Sequence, residues 1–94
     1  MNAMEAAVHI IISGLVQGVG YRWYAARRAE ALGVTGFVRN AYDGTVEVEA
    51  HGDRSLLEEL IHDLKIGPRS AHVNDLKVEW REPDPAAFTR FEIR

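Results

Sequence analysis

The residues best suited to chemistry lie in one run, Gly14-Leu15-Val16-Gln17-Gly18-Val19-Gly20-Tyr21-Arg22. Gly14, Gly18 and Gly20 permit positive φ and close backbone approach, so successive N–H groups can converge on an anion. Arg22 adds a planar guanidinium that can hold two phosphate oxygens at once, a fork that lysine lacks. If the run opens a helix, Arg22 stands at the end that disfavours a cation by about 0.3–1 kcal/mol, and a bound anion would remove the conflict. The pattern is not a Walker A loop, because no Gly-Lys-Ser or Gly-Lys-Thr follows. Nor is it a dinucleotide fingerprint, since Trp23 stands where the third glycine of Gly18-x-Gly20-x-x-Gly belongs.

Other chemistries are poorly supplied. The chain has no cysteine, which excludes thiolate nucleophiles, disulfides and Cys-ligated metal. His9, His51, His62 and His72 lack HExxH spacing, and His62-Asp63 is a single adjacent pair rather than a zinc site. His9 could act as a nucleophile only if it faced outward from its strand. With 11 basic against 14 acidic residues and a formal charge of −3, nothing draws the chain generally to nucleic acid or an anionic membrane. A length of 94 residues gives one domain whose core is too small to wall in a large cofactor. The longest apolar stretch, around Ile10 to Ile12, is far short of the ~20 residues that span a bilayer. No secretory signal is readable, so a cytoplasmic protein is expected.

The elements that must position this loop are marked by periodicity and punctuation. Val8, Ile10 and Ile12 make a buried first strand ending at Ser13-Gly14. An alanine-rich helix from about Arg22 to Leu32 follows, closed by Gly33, with Arg27, Arg28 and Glu30 on its wet side. A second strand runs over Thr35–Asn40, and Tyr42-Asp43-Gly44 turns the chain. The third, about Thr45 to His51, places Val46, Val48 and Ala50 on one face and Glu47, Glu49 and His51 on the other. Asp53 or Ser55 can cap a second helix carrying Leu56, Leu57, Leu60, Ile61 and Leu64, which Gly67-Pro68 stops. Leu76, Val78 and Trp80 point inward from a fourth strand, and Phe91 and Ile93 imply a short fifth. The order βαββαβ plus a C-terminal strand predicts an α+β ferredoxin-like sandwich, with two helices on one face of a mostly antiparallel sheet. Residues 1–6 are expected to form a flexible N-terminal tail, and residues 7–94 a single domain.

Topology brings Asn40 to the loop. The strand before the loop and the strand ending at Asn40 are joined by a helical crossover, so both end at the same sheet edge. The third strand separates them, and two strand spacings leave a gap of about 10 Å. Arg22 can reach into it from one side and Asn40 from the other, with room for a phosphoryl group and a water. Arg39 alternates to the opposite face, as a solvated or ion-paired residue.

The run Gly14–Arg22 resembles the first motif of the acylphosphatase family. Gly36-Phe37-Val38-Arg39-Asn40, followed by Gly44, Val46 and Gly52, resembles the second, and the likeness extends from about Ala7 to Arg94. It implies a small cytosolic hydrolase that cleaves carboxyl–phosphate mixed anhydrides without metal or organic cofactor. It further implies that Arg22 and the loop amides of Gln17, Gly18, Val19, Gly20, Tyr21 and Arg22 hold the phosphate, while Asn40 orients the attacking water. A phosphate oxygen would take that water's proton. Tyr21 departs from the phenylalanine common in the family, which implies altered tuning rather than lost activity. Trp23 and Tyr24 start the first helix, where they can line its sheet-facing side or the edge of the pocket, and Tyr42 could touch the acyl portion from the turn; each is expected to be a packing or surface aromatic rather than a specificity determinant. The expected partner is an acyl phosphate or phosphate anion, with no nucleic acid, no membrane and a monomeric chain. Two alternatives share the architecture: a phosphate-binding regulatory domain without turnover, and an RNA-recognition-like module. The latter needs exposed aromatics on central strands, where this chain presents Glu47, Glu49 and His51.

Overall fold

The computed structural model describes residues 4–94. Its elements are β1 (Glu5–Leu15), α1 (Tyr21–Leu32), β2 (Thr35–Asn40), β3 (Val46–Asp53), α2 (Arg54–Ile66), β4 (His72–Arg81) and β5 (Phe91–Ile93). The strands form one open sheet in the order β4-β1-β3-β2-β5. Among the described residues, only the β2–β5 pair is parallel. This is the ferredoxin-like sandwich expected from the alternation of periods. Val8, Ile10, Ile12, Val38, Val46 and Val48 are fully buried beneath the helices. Glu47, Glu49 and His51 alternate onto the uncovered face, as their period requires.

Three boundaries differ from the sequence reading. β1 extends past Ser13-Gly14 to Leu15, because a register shift there lets the ladder with β4 continue to His72. β4 therefore starts earlier than its apolar alternation indicates. At the other end of β1, Glu5 and Ala6 pair with Asp53 and Gly52, and Ala6 is buried, so these two residues are strand rather than tail. Residues 1–3 of the expected tail lie outside the described residues. Val78 faces the helix side opposite Ile10 but stays 36% exposed, because β4 is the sheet's edge and only α2 reaches over it.

The helices are set by small and branched apolar faces. Ala25, Ala26 and Ala29 bring α1 close to the sheet, and Gly33 closes it with an N–H bond to the Glu30 carbonyl at 3.1 Å. Asp53 caps α2 by accepting from the Ser55 amide at 2.9 Å. Leu57, Leu60 and Leu64 form α2's buried stripe, with Leu56 and Ile61 half-buried beside it.

One set of contacts fixes where the first turn of α1 sits. The buried Tyr21 hydroxyl donates to the Leu64 carbonyl at 2.6 Å, and the Tyr24 hydroxyl donates to the Asp63 carbonyl at 2.8 Å. Arg28 adds a 2.8 Å ion pair to the Asp63 carboxylate. Both carbonyls belong to the last turn of α2: that of Asp63 also accepts from the Gly67 amide at 3.0 Å, while that of Leu64 has no helical donor because Pro68 carries no N–H. The hydroxyl that distinguishes Tyr21 from phenylalanine therefore ties α1 to α2. Burial pushes the Tyr21 phenol well above its ordinary value of 10, with Tyr24 adding to the effect.

Replacing Tyr21 by phenylalanine removes a buried hydrogen bond and should cost about 1 kcal/mol in urea unfolding at neutral pH. Because the native phenol titrates above the unfolded one, its contribution is whole below pH 10 and fades as pH rises further. The alkaline decline in stability should thus be shallower in Tyr21→Phe. Identical unfolding midpoints and identical alkaline profiles would contradict the tie.

Candidate active site

β1 and β2 flank β3 and run parallel to each other, so that Val46 of β3 is paired with Ile12 on one side and Asn40 on the other. The segment after β1 therefore crosses the same sheet edge at which β2 ends. A cleft of about 240 Å³ opens there, with Gly18, Gly20, Arg22 and Asn40 among its lining.

Val16, fully buried, and Val19, packed against the core, anchor the loop. Between and after them Gly18 and Gly20 adopt φ of 74° and 77°, a left-handed backbone that a side chain would strain. Gly20 is the N-cap of α1 and supplies no capping side chain, so the first amides of the helix stay open to an external acceptor. Among the described residues, no amide from Gln17 to Arg22 donates to a backbone carbonyl outside the regular ladders. The Gln17 side chain spans the gap, its Nε2 donating to the carbonyls of Ala41 at 2.7 Å and Thr45 at 2.9 Å. Those two residues flank the β2–β3 turn, so a single carboxamide fastens the loop to the strand end that carries Asn40.

Arg22 occupies the first turn of α1, which has no acidic residue to offset it. Its Nη1 donates to the Arg94 carbonyl at 3.0 Å, and the Arg94 amide in turn donates to the Val38 carbonyl at 2.8 Å. β5 thereby steadies the guanidinium from the β2 side. Asn40 has its Oδ1 buried with no hydrogen-bond partner among the described residues. An unmet buried acceptor costs about 1–3 kcal/mol, a cost that a water or ligand donor would relieve.

Residues 8–93 match the acylphosphatase family. A relative named acylphosphatase in Chlorobaculum tepidum is 51% identical over 85% of this chain and 87% of its own length. One in Caldanaerobacter subterraneus is 47% identical over 84% of this chain and 88% of its own. The crystal structure of acylphosphatase from Bacillus subtilis aligns with a TM-score of 0.90 at 32% identity, over 97% of this chain and 99% of that one. The chain belongs to the acylphosphatase family. It is a hydrolase of acyl phosphates.

Among the residues singled out from the sequence, Gly18, Gly20, Tyr21, Arg22 and Asn40 share the cleft. Gln17 and Val19 flank it as strap and anchor. Arg39 does alternate away from Asn40 and pairs with Glu47 on the uncovered face. His9 lies on that face as well, 2.6 Å from Glu47, away from the cleft lining. Tyr42 is fully exposed and does not line the cleft. Trp23, for which the start of the helix offers either its sheet-facing side or the pocket edge, does line the cleft. Among the described residues, no helix is long and apolar enough to cross a membrane.

The Gln17 strap has a kinetic consequence. Gln17→Ala should lower kcat/KM for an acyl phosphate about tenfold, because both loop and strand end lose their common tie. Its melting temperature should fall by only a few degrees, as expected for side-chain bonds near the surface. Unchanged kinetics would mean that the loop holds its shape without the bridge.

Proposed function

We propose that Arg22 and the amides from Gln17 to Arg22 hold the phosphoryl group of R–CO–O–PO₃²⁻ while Asn40 aims the water that attacks it. The observation that carries this reading is that Asn40, whose Oδ1 is buried and has no hydrogen-bond partner among the described residues, lines the same cleft as Arg22, Gly18 and Gly20. A water donating to Oδ1 has its oxygen lone pair free for phosphorus. As the new P–O bond forms, the bond to the departing carboxylate breaks, and the water's proton passes to a phosphoryl oxygen. Asparagine is too weak a base to take that proton, so its part is orientation. The amides and guanidinium meet the charge on the equatorial oxygens, where preorganised donors are most effective. A carboxylate is a good leaving group, so the reaction needs neither a strong general acid nor a cofactor in this reading.

Arg22→Lys keeps the charge but loses the fork, and should lower kcat by 10²-fold or more while weakening inhibition by inorganic phosphate. Asn40→Ala should reduce kcat by a similar factor yet leave phosphate inhibition nearly intact. Hydrolysis of acetyl phosphate by the unmodified protein should be insensitive to EDTA. Parental turnover in Asn40→Ala, or loss of turnover in chelator, would refute the respective assignment.

The chain is further taken to act as a cytoplasmic monomer without nucleic-acid partners. Supporting this, the uncovered sheet face spends its charges internally, through Glu47 with His9 and Arg39 and through Glu79 with Arg81. Its aromatic Phe37 is packed against Phe88 rather than presented to a base. Sedimentation at a single-chain mass, recovery in the cytoplasmic fraction and failure to shift single-stranded RNA at low salt are the expected results.

A further inference from the structure

The cleft has a second half that the phosphoryl chemistry does not use. Arg22, Asn40 and the loop backbone take the phosphoryl group and the water, while the ring of Tyr21 is buried. The lining that remains is Val16, Trp23 and Ile93. Val16 is buried in the core, whereas Trp23 is 60% and Ile93 48% exposed. These two flank the guanidinium in sequence and in space: Trp23 follows Arg22 on α1, and Ile93 precedes Arg94, whose carbonyl accepts from Arg22. Among the described residues, no charged side chain other than Arg22 lines the cleft.

The indole is also held in place. Arg27 stacks over it with its guanidinium carbon 4.7 Å from the ring centroid. Trp23 separates the cleft from a shallow depression lined by Tyr24, Arg27, Arg28 and Ala31. Arg27 belongs to that depression, so the indole is a wall braced from behind, with further surface turned to the site. A large aromatic left mostly in water is apolar area still available for burial.

We propose that Trp23 and Ile93 form the acyl subsite and select acyl phosphates whose acyl group is apolar and planar, above all aromatic ones. This rests on the acyl phosphate reading and specifies its substrate. Once the phosphoryl group is seated, the R group has these two side chains to meet. An aromatic ring can lie against the indole, while a charged or strongly polar tail would be desolvated there without a partner.

The test compares benzoyl phosphate with acetyl phosphate as purified substrates. For the unmodified protein kcat/KM should favour benzoyl phosphate about tenfold or more, chiefly through KM. Trp23→Ala should reduce that preference about tenfold, equivalent to ~1.4 kcal/mol, Ile93→Ala about threefold, and Trp23→Phe should retain most of it. Tyr42→Ala, altered at a fully exposed turn residue outside the cleft, should keep the whole preference. Inhibition by inorganic phosphate reads the anion cradle separately and should persist in Trp23→Ala. A benzoyl-to-acetyl ratio that stays within twofold in Trp23→Ala overturns the subsite. So does loss of phosphate inhibition in that variant, since Trp23 would then be shaping the cradle. If the unmodified protein cleaved neither substrate, the hydrolytic reading itself would fall, and the subsite with it.

Discussion

An uncompensated positive end is the constraint around which this molecule is arranged. The N-terminus of α1 begins at a glycine without a capping side chain, has no acid in its first turn and carries Arg22. The first two forgo stabilisation that a capping side chain or an acid would give, and the third is unfavourable for an isolated helix, so all three have the same sign. They become favourable together when an anion sits on the open amides. The fold must therefore hold that helix end in place by contacts that do not themselves neutralise it.

It does so from behind and from the side. Tyr21 and Tyr24 reach to the last carbonyls of α2, joining the two helices at the end nearest the cradle. Gln17 crosses to the β2–β3 turn, so loop and Asn40 move as a unit. Just after β5, the main-chain oxygen of Arg94 accepts from Arg22 Nη1 at 3.0 Å, which steadies the guanidinium. β5 is itself held by short-range means: three residues paired to β2, and the Arg94 guanidinium stacked 4.5 Å from the Phe37 ring centroid. Phe88 packs on Phe37 and on His51 from the same side. The segment after β4 thus contributes to the site through the back of the sheet.

What could be read from the sequence is what local pattern encodes. Alternation in Val46–Ala50, the leucine stripe of α2 and the glycines around Val16–Gly20 each reflect a period or a backbone need, and they place Arg22 and Asn40 at one edge. The fine positioning is not written that way. Gln17 to Ala41, Tyr21 to Leu64 and Arg22 to Arg94 join residues 24, 43 and 72 positions apart, and no periodicity announces such pairs. Tyr21 read as a variant phenylalanine because its hydroxyl has no partner nearby in sequence. For Trp23 the sequence leaves the sheet-facing side of the helix and the pocket edge both open, because an aromatic at a helix start suits either. Only the three-dimensional edge shows that its surroundings are the anion cradle on one side and Arg27 on the other. The strand ends escaped for a related reason: a register shift at Ser13/Gly14 preserves pairing while breaking the alternation that would reveal it.

Charge distribution then decides how such a site can work. The chain is net negative, −3, and its substrate is a dianion, so the protein as a whole does not steer the ligand inward. Attraction has to be local. The acids of the uncovered face help by staying out of the way: Glu47 is committed to His9 and Arg39, and Glu49 to His51 and Arg81. Although burial opposes ionisation of Glu47, the bonds from His9 and Arg39 hold its carboxyl below the ordinary range. Arg39 and Arg81 offset these acids in part where they stand, on the opposite side of a sheet packed with valine and isoleucine. The field at the cleft is consequently set by a few groups at contact distance, whose strength depends on being held rather than on being numerous. A small domain can meet that demand, because rigidity at one sheet edge requires few residues, whereas a steering field would require many.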